Sequence, residues 1–229
     1  MYWRYFKYMI YYMRKEEAPP SRKETKKMKI SITNSKLGNN IPSINLPPII
    51  TCRKDAPCKK GCYALKGNWL FKNVKNSLQS NLEDFQNDSK KFFNDIIDYL
   101  SNGLTTFKYF RWFGSGDIVN EDFFDGMIKV AKKCKQTKFL CFTKKYEIVN
   151  AYLASGKKIP SNLKVIFSAW DKDFKVDNPF QLPMAYIEFK QAERNADIPE
   201  MAIPCTGDCS KCLACWSLNK SQAVRFKQH

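Results

Sequence analysis

The sequence predicts an α/β fold built on a parallel sheet. From residue 41 onward, segments with strand composition alternate with segments of helical periodicity, which is typical of βαβ units. The chain has 229 residues, of which 44% are hydrophobic and 14% aromatic. This is enough to bury a substantial core and excludes global disorder. In such sheets, function gathers at the carboxyl ends of the strands.

The first predicted elements surround the first cysteines. Residues 41–51 form a proline-punctuated extended run, and helical periodicity follows over 69–86 and 89–101. The second of these helices ends at Gly103, because glycine commonly follows the last helical turn. Residues 106–113 are rich in aromatic side chains and predict a strand.

The alternation continues through the second half of the chain. A helix over 120–134 begins at Asn120, a residue type that caps helix N-termini. The remaining predicted elements are a strand over 137–142, a helix over 146–154 closed by Gly156, and strands over 163–168, 183–189 and 202–204.

Three regions differ in composition: a basic aromatic arm over 1–29, an α/β core over 30–200 and a cysteine-rich segment over 201–229. The chain carries 39 Lys and Arg against 22 Asp and Glu, a net charge of +17. The arm holds +6 of it, from nine basic and three acidic residues, so +11 remains on 30–229. The arm is either a dispensable extension or a segment that docks on an acidic surface.

Several function classes are excluded. The only histidine is the terminal His229, so the folded core has no Ser-His-Asp or Cys-His catalysis and no histidine-ligated zinc. No run of 18 uncharged apolar residues occurs, which argues against a membrane span. The first residues do not resemble a secretory signal, so we expect a cytoplasmic protein with reduced thiols.

Nine cysteines are present, and seven of them form two groups. Cys134 and Cys141 stand apart and are expected to be small buried side chains. In a reducing compartment, clustered cysteines point to metal ligation more than to disulfides.

The first cysteine group is Cys52, Cys58 and Cys62, with the spacing C-x5-C-x3-C. Three protein ligands leave one metal position open for a substrate or cofactor, whereas a closed structural site takes four. An open iron–sulfur site is therefore expected. The alternative is a closed zinc site completed by a fourth cysteine from elsewhere.

The second cysteine group supplies four thiols within eleven residues: Cys205, Cys209, Cys212 and Cys215. Zinc ribbons split their ligands into two distant pairs, whereas this spacing is nearly even, as in a chain that wraps around an iron–sulfur cubane. A [4Fe–4S] cluster is favoured, and zinc is the alternative.

Four segments together carry a family resemblance: TCRKDAPCKKGCYA (51–64), FRWFGSGDI (110–118), FTKK (142–145) and CTGDCSKCLACW (205–216). Over roughly residues 30–217 the chain resembles the phage gene-product-88 family. More distantly, it is similar to divergent radical S-adenosylmethionine (SAM) enzymes. Its first cysteine spacing differs from the C-x3-C-x2-C that is common in those enzymes.

The resemblance implies an incomplete parallel (βα) barrel of five or six units, radical-SAM-like, with a cluster-binding C-terminal segment. It implies an open-site [4Fe–4S] cluster on the first cysteine group, an auxiliary cluster on the second, and SAM as cofactor. In such enzymes a reducing electron donor drives SAM cleavage to a 5′-deoxyadenosyl radical.

The resemblance also suggests roles for further residues. The loop Gly114, Ser115, Gly116 and Asp117 would meet the SAM ammonium group, unless it is a plain turn. Lys144 would meet the SAM carboxylate or a substrate phosphate, unless it is a solvated lysine. Ser168 is expected in the pocket wall. Tyr63 is expected beside the cluster or the adenine.

The function expected from these features is reductive SAM cleavage that modifies a substrate, with nucleic acid or a nucleotide favoured by the positive charge. The alternatives are a non-enzymatic nucleic-acid-binding protein stabilised by zinc or iron–sulfur, and a redox or electron-transfer protein.

Arg111 interrupts an aromatic strand, where an unpaired charge would be costly. It therefore either faces the barrel mouth or pairs with an acid such as Asp117.

Overall fold

The computed structural model describes residues 28–32, 34, 36–38, 40–101 and 107–228. Most of the predicted arm and the predicted helix end at Gly103 lie outside these residues. The strands are β1 (Ile30–Ser31), β2 (Ser43–Ile44), β3 (Tyr109–Trp112), β4 (Lys138–Thr143), β5 (Leu163–Ser168), β6 (Met184–Glu188), β7 (Ile203–Pro204) and β8 (Ala223–Lys227). The α-helices are α1 (Lys72–Asn87), α2 (Ser89–Ser101), α3 (Glu121–Lys133), α4 (Tyr146–Ala154) and the short α5 (Cys209–Cys212).

The eight strands form one sheet in the order β1-β2-β3-β4-β5-β6-β8-β7. β1 is antiparallel to β2, and every other neighbouring pair is parallel. The parallel sheet predicted from the alternation of elements is therefore confirmed. Because β2 to β6 are neighbours in chain order, their carboxyl ends and the loops after them share one edge of the sheet.

Helices α1 to α4 pack on one face of the sheet around a dense group of aromatic side chains. Phe85 and Phe123 meet edge to face, with ring centroids 4.7 Å apart, and both come from helices. Trp112 of β3 is fully buried against Phe139 of β4. Such aromatic contacts bury large areas and fix the helices against the strands.

The opposite face of the sheet is covered by the C-terminal segment and by Leu37 and Ile41. Leu140 and Ile166 point to this face and pack with Trp216, Leu218 and Leu37. The segment over 201–229 also contributes β7 and β8 to the sheet, where β8 lies between β6 and β7. The cysteine-rich segment is thus built into the same sheet as the α/β core.

Local sequence signals located several elements to the residue. The helix over 146–154 and the strand over 163–168 are confirmed at both ends. Asn120 caps α3 as predicted, because its Oδ1 accepts a hydrogen bond from the Phe123 N–H at 3.0 Å. Cys134 and Cys141 are buried.

The prediction missed the strands β1 and β8 and the short helix α5, and it misplaced the start of α1. The helix expected from residue 69 begins at Lys72, because Gly67–Leu70 forms a separate 3₁₀ turn. β8 was not predicted. Its five residues alternate too briefly to be recognised without their neighbours in the sheet. In the described parts of the chain, no helix combines the length and the apolar character needed to cross a bilayer.

Candidate functional site

The candidate site lies where β2, β3, β4 and β5 end. The segment after β2 leads through Thr51 into the first cysteine group, and the glycine loop 114–117 follows β3. Lys144 follows β4 directly, and Ser168 is the last residue of β5. The site residues predicted from distant parts of the sequence therefore gather at one edge, where parallel sheets commonly bind ligands.

Hydrogen bonds hold the glycine loop against the segment after β2. The N–H of Leu46 donates to the Ser115 carbonyl and the Ser115 hydroxyl donates to the Leu46 carbonyl, both at 3.0 Å. The N–H of Gly114 donates to Asn45 Oδ1 at 2.6 Å. The loop before the cysteines and the loop after β3 therefore form one rigid unit.

The backbone of this unit has positive φ at three positions, and it is strained at the two that carry side chains, Ile49 (φ 69°) and Phe113. Gly116 has φ +82°, and a Cβ on it would lie 2.8 Å from both Leu46 Cβ and Thr51 Oγ1. Phe113, which directly follows β3, has φ +60°, a backbone angle that residues with a Cβ rarely adopt. Strain of this kind persists only where the surrounding structure enforces it, and it is concentrated at functional sites.

Asp117 is buried, and its carboxylate is held by three protein donors. Oδ1 accepts from the Thr143 hydroxyl at 2.6 Å and from the Ile118 N–H at 2.8 Å. Oδ2 accepts from the Lys144 N–H at 2.9 Å. Burial raises the pKa of Asp117, and these hydrogen bonds oppose the shift. Asp117 thus joins the loop after β3 to the end of β4.

The first cysteine group lies beside Asp117 and Lys144. Burial raises the pKa of Cys52 to about 11, and the charges of Asp117 and of the other two thiols add to the shift. Burial also raises the pKa of Cys58, while the ammonium group of Lys144 lowers it. The three thiols are therefore close enough to act on one another electrostatically.

Tyr63 and Lys144 border this group. The Tyr63 hydroxyl donates a hydrogen bond to the Gly114 carbonyl, so the residue after Cys62 is tied to the glycine loop. The Lys144 Nζ lies 5.8 Å from the ring centroid of Trp170. At Ser168, the carbonyl accepts a hydrogen bond from the Tyr146 hydroxyl.

The second cysteine group lines a single pocket on the opposite face of the sheet. Its four cysteines line a cavity of about 20 Å³ that is open to solvent, together with Trp216 and Val224. Burial raises the pKa of Cys215 to about 12; the other thiols of the group raise it further, and Arg111 lowers it. The Trp216 indole N–H donates to the Phe110 carbonyl at 3.4 Å, which anchors the segment on β3.

Arg111 lies near Tyr63 and near the second cysteine group. Its guanidinium carbon is 5.0 Å from the ring centroid of Phe142, and its charge lowers the pKa of Tyr63 on one side and of Cys209 on the other, opposing the effect of burial. Its Nε is buried without a hydrogen-bond partner. Within the described residues no acidic side chain forms an ion pair with it, so the pairing with Asp117 weighed from the sequence is not formed.

Neither cysteine group has the arrangement of a finished metal site. Among the residues that the structure describes, no three His, Cys, Asp or Glu side chains are placed so that they could hold a metal ion. The ligand type still fits an iron–sulfur cluster, because every member of both groups is a soft thiol.

Sequence reasoning missed the polar side chains that support the site. Asn45, Thr51 and Thr143 are buried and hold the glycine loop and Asp117 through the hydrogen bonds of their side chains. Asn45 follows β2 and Thr143 ends β4, each beside apolar residues, which is the available signal for these two. Their partners lie 26 to 69 residues away, so no local pattern identifies them.

Comparison with known proteins gives one match. A family model described as gene product 88 matches residues 15–218, which includes both cysteine groups and the glycine loop. No curated protein and no solved structure matches the chain.

Proposed function

The chain belongs to the gene product 88 family, and from this premise we propose that it is a radical SAM-like iron–sulfur enzyme. In this proposal it cleaves SAM reductively to modify a substrate, and nucleic acid or a nucleotide is the favoured substrate class. The winding of β2 to β6 in chain order supports an incomplete (βα) barrel as the finer description of the fold.

One observation carries the proposal. The three thiols of the first cysteine group, the glycine loop and Lys144 come from three separate strand ends and lie together at one edge of the sheet. Three thiols beside a lysine and a glycine loop suit a cluster with one open iron and a small zwitterionic ligand. An inert structural site needs neither the lysine nor the loop.

A [4Fe–4S] cluster on Cys52, Cys58 and Cys62 would supply the electron that splits a carbon–sulfur bond of SAM. The residues around it would orient the ligand and exclude water. Lys144 would bind the SAM carboxylate or a substrate phosphate through its ammonium group. Asp117 has donors on both oxygens, so we assign it to positioning Lys144 and assign the SAM ammonium group to main-chain carbonyls of the loop.

The second cysteine group would hold an auxiliary cluster. Its pocket lies against β7 and β8 and is closed on one side by Trp216. Because Arg111 lowers the pKa of Tyr63, beside the first cysteine group, and of Cys209 and Cys215 in the second, its positive charge would lie near both clusters. A reducing protein or small-molecule donor would supply the electron.

The test is anaerobic reconstitution with iron and sulfide. We expect brown protein with roughly eight irons per chain, four for each cubane. After reduction it should release 5′-deoxyadenosine from SAM. Cys58→Ala should abolish this cleavage, because it removes a ligand of the open-site cluster.

Two variants complete the test. Cys212→Ala should mainly lower the occupancy of the second cluster or the stability of the protein. Cys134→Ala, which removes a buried thiol outside both groups, should leave the iron content and SAM cleavage unchanged. Colourless protein with stoichiometric zinc would identify a metal-stabilised binding protein instead. Brown protein that never cleaves SAM would indicate redox or electron transfer.

A further inference from the structure

An exposed surface of lysine and apolar side chains lies beside the candidate site. It comprises residues 59–75, from the 3₁₀ turn Pro57–Gly61 to the first turn of α1, and is called here the lysine–aromatic surface. Its large apolar side chains are unusually exposed: Tyr63 53%, Leu65 46%, Leu70 49% and Phe71 59%. Contiguous apolar exposure of this kind marks an interaction site more often than a free surface.

The same surface is strongly positive. Lysines occupy positions 59, 60, 66, 72 and 75, and no acidic residue occurs between Asp55 and Glu83. This stretch thus holds +5 of the +11 on residues 30–229. Within the described residues none of the five lysines forms an ion pair, so their charge is available to a ligand.

The exposed side chains stand on an ordered backbone. The N–H groups of Leu65 and Lys66 donate to carbonyls three residues earlier, each at 3.1 Å, and Lys75 N–H donates to the Phe71 carbonyl at 3.0 Å. Leu78 and Leu82 bury the inner side of α1. The apolar side chains therefore point outward because the fold holds them there.

The surface is continuous with the candidate site. Tyr63 donates its hydroxyl hydrogen bond to Gly114, and its ring meets the Trp69 ring at 6.4 Å between centroids. Trp69 itself borders Gly114, since a Cβ on that glycine would lie 3.5 Å from the indole ring. A molecule bound across the lysines and aromatic rings would thus reach the glycine loop.

We propose that the lysine–aromatic surface binds single-stranded nucleic acid. Lysines pair with phosphates along the backbone, and exposed rings stack with unpaired bases regardless of sequence. A duplex keeps its bases stacked inside and offers the rings no partner. The proposal deepens the proposed function, on which the role of the bound strand as substrate rests.

An anionic membrane fits the surface less well. Interfacial binding uses one long amphipathic helix with a continuous apolar face. Here the apolar side chains come from short 3₁₀ turns and lie among the lysines, and Phe71 precedes the first residue of α1. In the sequence, Tyr63, Trp69 and Phe71 are interspersed with lysines, which suits a ligand that carries both bases and phosphates.

The experiment measures binding of a fluorescein-labelled 15-nucleotide oligothymidylate by anisotropy. It uses the full chain without SAM or reductant, at about 50 and about 200 mM salt. The wild-type chain should bind, with affinity falling as salt rises. Phe71→Ala should weaken binding by about 5- to 150-fold, the range for loss of one stacked base.

Two double variants distinguish the effect of losing lysines on this surface from the effect of a lower net charge. Lys72→Gln with Lys75→Gln should weaken binding and reduce the slope of log affinity against log salt by about 1.4, or 0.7 for each phosphate contact. Lys132→Gln with Lys133→Gln changes the net charge equally at the exposed end of α3, near the opposite edge of the sheet. This control should bind nearly as the wild type does.

Equal losses in the two double variants would overturn the proposal, because binding would then follow net charge alone. Binding to vesicles of anionic phospholipid but not to the oligonucleotide would overturn it in favour of a membrane. The SAM assay separates the two proposals. If the wild-type chain cleaves SAM but does not bind the oligonucleotide, this inference alone is refuted. If it binds the oligonucleotide but does not cleave SAM, the enzyme proposal alone is refuted.

Discussion

Gly116 lies where the loop after β3 comes closest to the segment that leads into the first cysteines. Its φ of +82° disfavours any side chain, and Leu46 and Thr51 leave no room for a Cβ. Gly116→Ala should therefore cost about 1–2 kcal/mol for the left-handed backbone and about 1–3 kcal/mol for overpacking. The free energy of unfolding from urea titration measures the sum.

Gly156 is the matched control for this substitution. It has φ +78°, but nothing lies within 4 Å of the position of a Cβ. Gly156→Ala should cost only the backbone part, about 1–2 kcal/mol. Equal costs for the two variants would show that the close approach of the loops at Gly116 does not hold in solution.

Single residues were predicted unevenly. Spacing alone grouped the seven clustered cysteines, because metal-ligand patterns are local in sequence. It did not show that the Asp117 carboxylate accepts hydrogen bonds from the Thr143 hydroxyl and the Lys144 N–H, or that Arg111 has no acidic partner among the described residues. Those facts depend on side chains that meet only after the strands pair.

At the scale of elements, α3 is a helix whose first residue is determined by local sequence signals. Asn120 accepts the Phe123 N–H, and Glu121 and Asp122 lie in the first turn near the positive end of the helix dipole. Asn120→Ala should lower the free energy of unfolding by about 1 kcal/mol. Thermal denaturation followed by circular dichroism measures it.

Asn120→Ser is the control, since serine caps helices about as well as asparagine. Its free energy of unfolding should lie within a few tenths of a kcal/mol of the wild-type value. If serine destabilised as much as alanine, the side-chain cap would not be the source of the effect.

Other element boundaries depended on tertiary contacts. Helical periodicity continues back to residue 69, yet Gly67–Leu70 forms a 3₁₀ turn and α1 begins at Lys72. Tyr63 and Trp69 fix that turn against the loop after β3, which shifts the helix start. Periodicity predicts that a helix exists more reliably than where it begins.

For the whole molecule, β8 joins the C-terminal segment to the core. It pairs with β6 over five residues and with β7 over two, and Val224 and Phe226 pack on the opposite face of the sheet. Deleting residues 220–229 should separate β7 from the sheet and expose this apolar face. We expect loss of cooperative unfolding and aggregation, measured by thermal denaturation and size-exclusion chromatography.

Deleting only residues 228–229 is the control. It removes the hydrogen bond from the Gln228 N–H to the Glu188 carbonyl and leaves β8 intact, so stability should change by about 1 kcal/mol at most. A chain lacking residues 220–229 that still unfolds cooperatively at nearly the wild-type temperature would mean that β8 is dispensable. β8 lies beyond residues 15–218, which the family model matches.

The amino-acid order determined the alternation of helices and strands, the cap of α3 and the spacing of both cysteine groups. Each of these is set by hydrogen bonds and side-chain periods within some twenty residues. Only the folded chain decided that β8 inserts between β6 and β7, that the second cysteine group covers the face opposite α1 to α4, and that Arg111 lies near both Tyr63 and that group. These outcomes follow from packing between segments up to about a hundred residues apart. Trp216 and Phe110 are an example, since their hydrogen bond forms only when the core around them is packed.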